Sequence, residues 1–162
     1  MAVVTRDLDF ALPETLLRSG RRIVIFTTDA IAKSDKARSL SDGNLVILGS
    51  GEREVEGSRM IATLSGDIGY RVILMASGPR ILDLLLKAER MDCIYVTEAQ
   101  VEIPFDDPAT VQTMLLGGKS VGDLKDFHLA HEFKQAGVVT DAEHASRISQ
   151  SFLRYDRNDL RG

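Results

Sequence analysis

Residues 71–91, R-V-I-L-M-A-S-G-P-R-I-L-D-L-L-L-K-A-E-R-M, carry the clearest fold signal in the chain. The apolar run 72–75 contains no polar residue, which is typical of a strand buried on both faces of a parallel sheet. Pro79 suits the first position of a helix because its φ is fixed and its missing N–H needs no partner there. An apolar stripe then recurs at helical spacing, formed by Ile81, Leu84, Leu85 and Ala88. The stretch therefore predicts a strand, a turn and an amphipathic helix.

The turn of small residues at 76–78 is a candidate anion site. Backbone N–H groups and the positive end of a helix can face an anion there, and small side chains would let a phosphate approach the backbone. The same pattern also fits an ordinary turn between a strand and a helix. A single Ser-Gly-Pro sequence does not decide between the two interpretations.

Strand and helix patterns alternate through the first two thirds of the chain. This alternation predicts an α/β domain with a mostly parallel sheet, and the last third predicts an antiparallel hairpin. At 162 residues we expect a single domain over residues 1–162. The predicted strands are 2–5, 22–28, 45–48, 72–75, 92–97, 125–134 and 148–155. The predicted helices are 30–40, 58–68, 79–91 and 109–116, with a loop at 101–108 and a polar, irregular connection at 135–147.

Composition excludes several classes of function. The net charge of −4 disfavours nonspecific binding of nucleic acid, which requires a basic surface. The single Cys93 cannot form an internal disulfide, and the sequence has no signal-peptide pattern and no apolar run long enough to span a membrane. We therefore expect a cytoplasmic protein that acts on a small molecule rather than on nucleic acid or a membrane.

Familiar catalytic and metal-binding motifs are incomplete in this sequence. His128 and His131 lack the spacing of a helical zinc motif, and on a regular strand they would point to opposite faces, so no metal site is expected. Residues 49–51 begin a dinucleotide fingerprint, but Glu54 occupies the position of its third glycine. Two loops that follow predicted strands remain, at 27–29 and 76–79. Because ligands of open α/β sheets bind outside the carboxyl ends of strands, these loops form a candidate nucleotide-phosphate site.

Three stretches together resemble the reductase domain of bacterial riboflavin biosynthesis. They are V-V-T-R-D-L-D-F at 3–10 with L-R-S-G-R-R-I-V-I-F-T-T at 17–28, the segment 71–97, and F-L-R-Y-D-R at 152–157. The resemblance implies a dihydrofolate-reductase-like fold, with three αβα layers, and an NADPH cofactor lying across the carboxyl ends of the strands. It also implies a reductase of the 5-amino-6-(5-phosphoribosylamino)uracil type, which transfers hydride to a ribosylamino-pyrimidine.

The resemblance assigns cofactor-binding positions residue by residue. Thr27 and Thr28 match the side that holds the adenosine 2′-phosphate, and Ser77 and Gly78 would donate backbone N–H groups to phosphate. The implied pyrophosphate loop comprises Gly78, Pro79, Arg80, Ile81 and Leu82. The family usually pairs through sheet edges and C-terminal elements, so a homodimer is expected.

Two departures from the family keep an alternative open. Ala76-Ser77-Gly78 stands where the family usually has Glu-Gly-Gly, so the substrate-facing carboxylate is replaced by Ala76. The resemblance also implies that the family's first strand and its Ser-x-Asp-Gly turn are missing from the N-terminal part. The alternative is a non-catalytic nucleotide-binding or dimerisation domain that kept the fold and lost the active site.

Overall fold

The computed structural model describes residues 1–100, 120–140 and 145–160. The chain divides into two compact units, Met1–Arg90 and Met91–Gly162. The single domain expected over 1–162 stays a prediction. What the structure establishes is an α/β protein with one parallel and one antiparallel sheet.

The first unit contains a parallel sheet of three strands in the order β1-β2-β3. These strands are β1 (Ala2–Val4), β2 (Ile23–Thr27) and β3 (Leu45–Gly49). All five residues of β2 are buried, as expected for a central parallel strand covered on both faces. Val3 pairs with Ile25, and Ile25 pairs with Ile47, so the three strands run side by side in register. The three strands predicted in this region are confirmed.

Helices in the first unit are short. They are α1 (Glu14–Leu17), α2 (Asp29–Ala32), α3 (Asp35–Leu40), α4 (Gly57–Ala62) and α5 (Pro79–Lys87). The single helix predicted at 30–40 is interrupted because Ser34 caps α3, its hydroxyl accepting a hydrogen bond from the Ala37 N–H at 3.2 Å. The helix predicted at 58–68 begins as α4, widens into a π-helical turn over Thr63–Asp67, and ends before Gly69, whose φ is 84°.

The core of the first unit lies against one face of the parallel sheet. Ile23 and Ile25 share this face because side chains alternate along a strand. They pack with Leu8, Ala37 and Ile47, and the surrounding half-buried side chains are Val3, Leu12, Leu16, Ile31, Ala32 and Leu45. Val24 and Phe26 lie on the opposite face and are 1% and 0% exposed. Both faces of β2 are therefore covered.

Residues 72–75 do not form the strand that their apolar sequence predicts. They have no regular secondary structure, and Val72 and Leu74 are 77% and 86% exposed. An apolar run becomes a strand only where it pairs with a neighbouring strand, and residues 72–75 pair with none of the described strands of the first unit, β1, β2 and β3. The following helix does begin at Pro79, as predicted.

The second unit contains an antiparallel sheet in the order β4-β6-β5. Its strands are β4 (Cys93–Gln100), β5 (Phe127–Thr140) and β6 (Ala145–Arg157). The predicted C-terminal hairpin is confirmed, and its strands extend into residues 135–140 and 145–147, so the irregular connection predicted there is wrong. The strand predicted at 92–97 is present as β4, but its neighbour β6 is antiparallel. The loop and helix predicted at 101–108 and 109–116 lie outside the described residues.

Two short 3-10 helices flank the hairpin, Val121–Asp123 and Asn158–Leu160. Ser120 and Asp123 form a capping box around the first, in which each side chain accepts a hydrogen bond from backbone at the other end of the turn. In the part of the chain that the structure describes, no helix has the length and hydropathy needed to cross a bilayer. The longest helix of that part, α5, has nine residues.

Candidate functional site

The loops that follow β2 and β3 meet at the carboxyl edge of the parallel sheet. Thr27 pairs with Gly49 in the last step of the register. Beyond the strands, the Ser50 N–H donates to the Thr27 carbonyl oxygen at 2.9 Å, and the Asp29 N–H donates to the Gly51 carbonyl oxygen at 2.7 Å. These two bonds hold residues 27–29 beside residues 49–51. We call this pair of loops the carboxyl-edge site.

Asp29 and Arg59 form an ion pair across the carboxyl-edge site. The Arg59 guanidinium, from α4, donates to both carboxylate oxygens, with Nη1 at 3.0 Å from Oδ2 and Nη2 at 3.3 Å from Oδ1. The Gly51 N–H adds a bond to Oδ1 at 3.4 Å. A planar guanidinium matches a carboxylate in this two-bond geometry, so the pair fixes the orientation of both side chains.

Electrostatics of the pair favour the charged form of both groups. Hydrogen bonding from Arg59 lowers the pKa of Asp29, against an opposing effect of burial. The hydrogen bond to Asp29 raises the pKa of Arg59, with smaller contributions from the nearby carboxylates of Glu56 and Glu52. The Arg59 side chain remains 47% exposed, whereas that of Asp29 is 27% exposed. The solvent side of Arg59 is therefore open to a second anion.

Glycines make the tight approach of the two loops possible. A Cβ at Gly49 would lie 2.8 Å from the Asp29 Cα, which leaves no room for a side chain. Gly51 has a φ of +151°, a region that other residues rarely adopt, and a Cβ there would lie 3.1 Å from the Glu54 carbonyl carbon. Neither glycine is replaceable without moving the loop. Their position explains why glycines stand at the last residue of β3 and two residues beyond it.

Thr27 and Thr28 occupy different environments although they are adjacent. Thr27 has no exposed surface, and its Oγ1 is the buried side-chain oxygen that lacks a hydrogen-bond partner among the described residues. Such an unpaired hydroxyl is costly in a protein interior and marks a position that a ligand group or an ordered water could satisfy. Thr28 is half-buried, and its side chain forms no cap to α2. Of the two predicted residues, Thr28 is the one that solvent reaches.

The second group of predicted residues surrounds the start of α5. Ser77, Gly78 and Arg80 are exposed, and Pro79 and Ile81 are half-buried. Leu82 is 3% exposed and belongs to the apolar side of α5, so only its backbone is available to a ligand.

Some backbone N–H groups in the first turn of α5 already donate hydrogen bonds within the helix. The N–H groups of Ile81 and Leu82 donate to the Gly78 carbonyl oxygen at 3.2 Å and 3.3 Å. Because Pro79 has no N–H, the donors left for an anion are those of Ser77, Gly78 and Arg80. A Cβ at Gly78 would meet no atom within 4 Å, so packing does not require a glycine there.

Arg59 and the paired glycines were not identified as site residues from the sequence. The ion pair joins residues thirty positions apart, and no local spacing encodes such a contact. The available signal was Gly49-Ser50-Gly51 directly after a predicted strand, at the edge where the Thr27-Thr28-Asp29 loop was also expected. Placing those loops together would have drawn attention to the basic residue at the start of the next helix.

His128 and His131 are placed on the same face of the antiparallel sheet, so the expectation of opposite faces is wrong. A β-bulge between Leu129 and His131 inserts Ala130, and His128 then pairs with Asp156 while His131 pairs with Arg154. Directly paired residues share a face, and Asp156 and Arg154 lie two positions apart on β6. His128 Nδ1 lies 2.9 Å from the Asn158 Oδ1. Within residues 1–100, 120–140 and 145–160 no group of side chains is arranged to hold a metal ion.

The residues of the carboxyl-edge site fit a phosphate or phosphorylated ribose better than a metal or a nucleophilic reaction. Two side chains here can donate hydrogen bonds to a ligand: the Arg59 guanidinium, which is 47% exposed, and the hydroxyl of the half-buried Thr28. The carboxylates that act on Arg59 are that of Asp29, which is held in the ion pair, and those of the exposed Glu52 and Glu56. Comparison of the chain with models of known protein families and with curated protein sequences gives no match.

Proposed function

We propose that the chain is an NADPH-binding reductase domain of the pyrimidine-reductase type, and that the adenosine side of the cofactor binds at the carboxyl-edge site. The observation that carries the proposal is the joining of residues 27–29 and 49–51 by two backbone hydrogen bonds, beside the partly exposed side chain of Arg59. Ligands of open α/β sheets bind outside the carboxyl ends of the strands. The three-layer dihydrofolate-reductase-like arrangement and a homodimer belong to the same proposal.

Arg59 is the residue best suited to bind the cofactor's 2′-phosphate. Asp29 occupies one edge of the guanidinium, and the remaining N–H groups can donate to phosphate oxygens. The Thr28 hydroxyl adds a donor from the neighbouring loop. Three exposed acidic side chains of the loop after β3, Glu52, Glu54 and Glu56, reduce the attraction for an anion. We therefore expect binding of moderate strength that changes little with salt.

The start of α5 supplies the second set of contacts in this proposal. The backbone N–H groups of the exposed residues Ser77, Gly78 and Arg80 would bind the pyrophosphate at the positive end of a nine-residue helix. The bound cofactor supplies a hydride, and the chain's own residues bind and orient it.

Titration of the full chain with NADPH and NADH, followed by the fluorescence of the nicotinamide ring, tests the proposal. We expect NADPH to bind, and Arg59→Met to weaken its binding by about tenfold or more because a hydrogen-bonded charge pair is lost. NADH binding should respond little to Arg59→Met, since NADH lacks the 2′-phosphate. The matched control is Arg53→Met, which removes an exposed arginine from the loop between β3 and α4. Failure of both cofactors to bind at millimolar concentration would rule out the reductase.

The non-catalytic alternative is favoured by one specific observation. The segment that should hold the substrate side of the site, 72–78, lies outside the sheet and is largely exposed, and Ala76 replaces the family's carboxylate. A chain with this arrangement can bind a nucleotide through the carboxyl-edge site without positioning a pyrimidine. It predicts cofactor binding without oxidation of the cofactor.

A further inference from the structure

A cavity lies at the opposite edge of the parallel sheet from the carboxyl-edge site. Its volume is about 630 Å³, and it is bounded by the loop before α1, by α1, by the end of α3 and by the first residues of β2 and β3. We call it the amino-edge cavity. Its apolar wall is formed chiefly by Phe10, Leu12, Leu17, Ile23, Leu40 and Leu45. This volume falls within the range of roughly 300–1,000 Å³ that is usual for small-molecule sites.

Apolar side chains at the mouth of the amino-edge cavity remain in contact with water. Leu17, Leu40 and Phe10 are 46%, 39% and 37% exposed, whereas Ile23 and Ile25 at the base are 1% exposed. A ligand that enters the cavity removes the exposed apolar surface from water, which is favourable in proportion to the area covered. The cavity therefore has buried apolar side chains at its base and partly exposed apolar side chains at its mouth.

Asp42 is the charged residue of the wall. Its backbone is held in a tight turn, because the Leu45 N–H donates to the Asp42 carbonyl oxygen at 2.6 Å and the Asp42 N–H donates to the Leu45 carbonyl oxygen at 3.2 Å. Gly43, with a φ of +42°, completes this turn. Among the described residues the Asp42 carboxylate forms no ion pair. A negative charge beside an apolar recess attracts a cation and repels an anion.

We propose that the amino-edge cavity binds a small amine that carries an apolar ring. The ring lies against Leu17, Leu40 and Phe10, and the ammonium group lies beside Asp42. The apolar walls favour a ligand with an apolar ring, and the Asp42 carboxylate favours a positively charged ligand over a negatively charged one. The inference is independent of the NADPH proposal, because the amino-edge cavity shares no residue with the carboxyl-edge site or with the start of α5.

Calorimetric titration of the full chain with 1-naphthylmethylamine and with 1-naphthaleneacetate tests the inference. The two probes share the ring and differ in the sign of their charge. We expect the amine to bind and the acetate to bind at least about tenfold more weakly, because the acetate meets the Asp42 carboxylate. Equal affinity for the two probes, or failure of the amine to bind, overturns the proposal.

Two variants locate the binding. Asp42→Asn should weaken amine binding by about two- to fivefold, the usual effect of an exposed ion pair, and should bring the two probes closer in affinity. Ala11→Trp, at an exposed position of the wall, should weaken binding of both probes by occupying the recess. The control is Asp83→Asn, which removes an exposed carboxylate of α5 and should leave binding unchanged.

Methyl chemical shifts of the wild-type chain give a reading that needs no variant. The amine should shift the methyl resonances of Leu17 and Leu40, since both side chains line the mouth. Binding that leaves these resonances in place, or that is insensitive to Asp42→Asn, would contradict the assignment of the amino-edge cavity as the amine site.

Discussion

The ion pair between Asp29 and Arg59 makes the stability of the first unit depend on pH. Because Arg59 lowers the pKa of Asp29 below its ordinary value of 3.8, the stabilisation is present above that value and is lost as the pH falls through the lowered folded value. We expect Arg59→Met to lower the urea midpoint near neutral pH and to match the wild type in strong acid. The control Arg53→Met should show no such convergence. A deficit that persists unchanged in acid would mean that Arg59 acts through packing of its stem rather than through Asp29.

Substitution of Thr27 tests whether its buried hydroxyl contributes to the stability of the fold or to ligand binding. Thr27→Val keeps the shape of the side chain and removes the Oγ1 that has no partner among the described residues, so it should raise the free energy of unfolding by about 1 kcal/mol. Urea denaturation of the variant and of Thr28→Val, the half-buried neighbour, provides the comparison. If Thr27→Val is instead destabilising, the hydroxyl is already satisfied, by an ordered water for example. If it stabilises the chain and weakens NADPH binding, Thr27 belongs to the cofactor site.

Packing of α4 against α5 depends on Gly57. A Cβ there would lie 2.7 Å from the Leu84 carbonyl oxygen and 3.0 Å from the Ala88 Cβ, so the two helices would have to separate. Gly57→Ala should cost about 1–3 kcal/mol of stability, the usual effect of overpacking. Gly66→Ala is a matched control in the π-helical turn, where a Cβ meets no atom within 4 Å, and it should be neutral or slightly stabilising. Equal effects of the two substitutions in thermal unfolding would show that α4 and α5 are not in close contact.

Segment 72–75 is the place where the sequence pattern predicts a strand and the structure has none. Its apolar run is as strong a strand signal as that of β2, yet β2 has parallel neighbours on both sides and residues 72–75 have none among the described strands. Periodicity reports which side chains can be buried, but strand formation also needs a partner edge, which no local pattern encodes. The helix start at Pro79 and the helix break at Ser34 follow instead from single residues whose backbone chemistry is local. Only the first of these two was predicted, because Ser34 also fits a helix interior.

Substitution of Leu74 distinguishes a buried strand at residues 72–75 from an exposed segment without regular secondary structure. Leu74 is 86% exposed, so Leu74→Ser should change the free energy of unfolding by less than about 0.5 kcal/mol. In a buried strand the same truncation would cost about 2–5 kcal/mol. Leu85→Ser in α5, where the leucine is 5% exposed, is the control that should show the large loss. A large loss for Leu74→Ser in urea denaturation would restore the predicted strand.

The candidate site was predictable in its location and only partly in its residues. Strands β2 and β3 and the polar loops after them follow from local sequence, and parallel pairing brings their carboxyl ends to one edge. The Arg59 contact to Asp29 and the steric need for Gly49 arise from packing between segments distant in sequence, so the sequence patterns missed them. The C-terminal antiparallel hairpin was predicted, but the place of β4 beside it in a separate sheet was missed, because the local sequence of β4 does not show that it pairs with β6.

Turnover separates the reductase from the non-catalytic domain. With NADPH bound, an active reductase should oxidise the cofactor only when a ribosylamino-pyrimidine is added, and the loss of NADPH absorbance measures the rate. The non-catalytic alternative predicts that the cofactor binds, raises the melting temperature in proportion to the logarithm of its concentration above Kd, and is never oxidised. Ala76→Glu, which restores the family's carboxylate, should not create activity by itself because residues 72–78 are largely exposed and outside the sheet. Steady oxidation by the wild-type chain would exclude the alternative, and activity gained by Ala76→Glu alone would show that the exposed segment reaches the substrate.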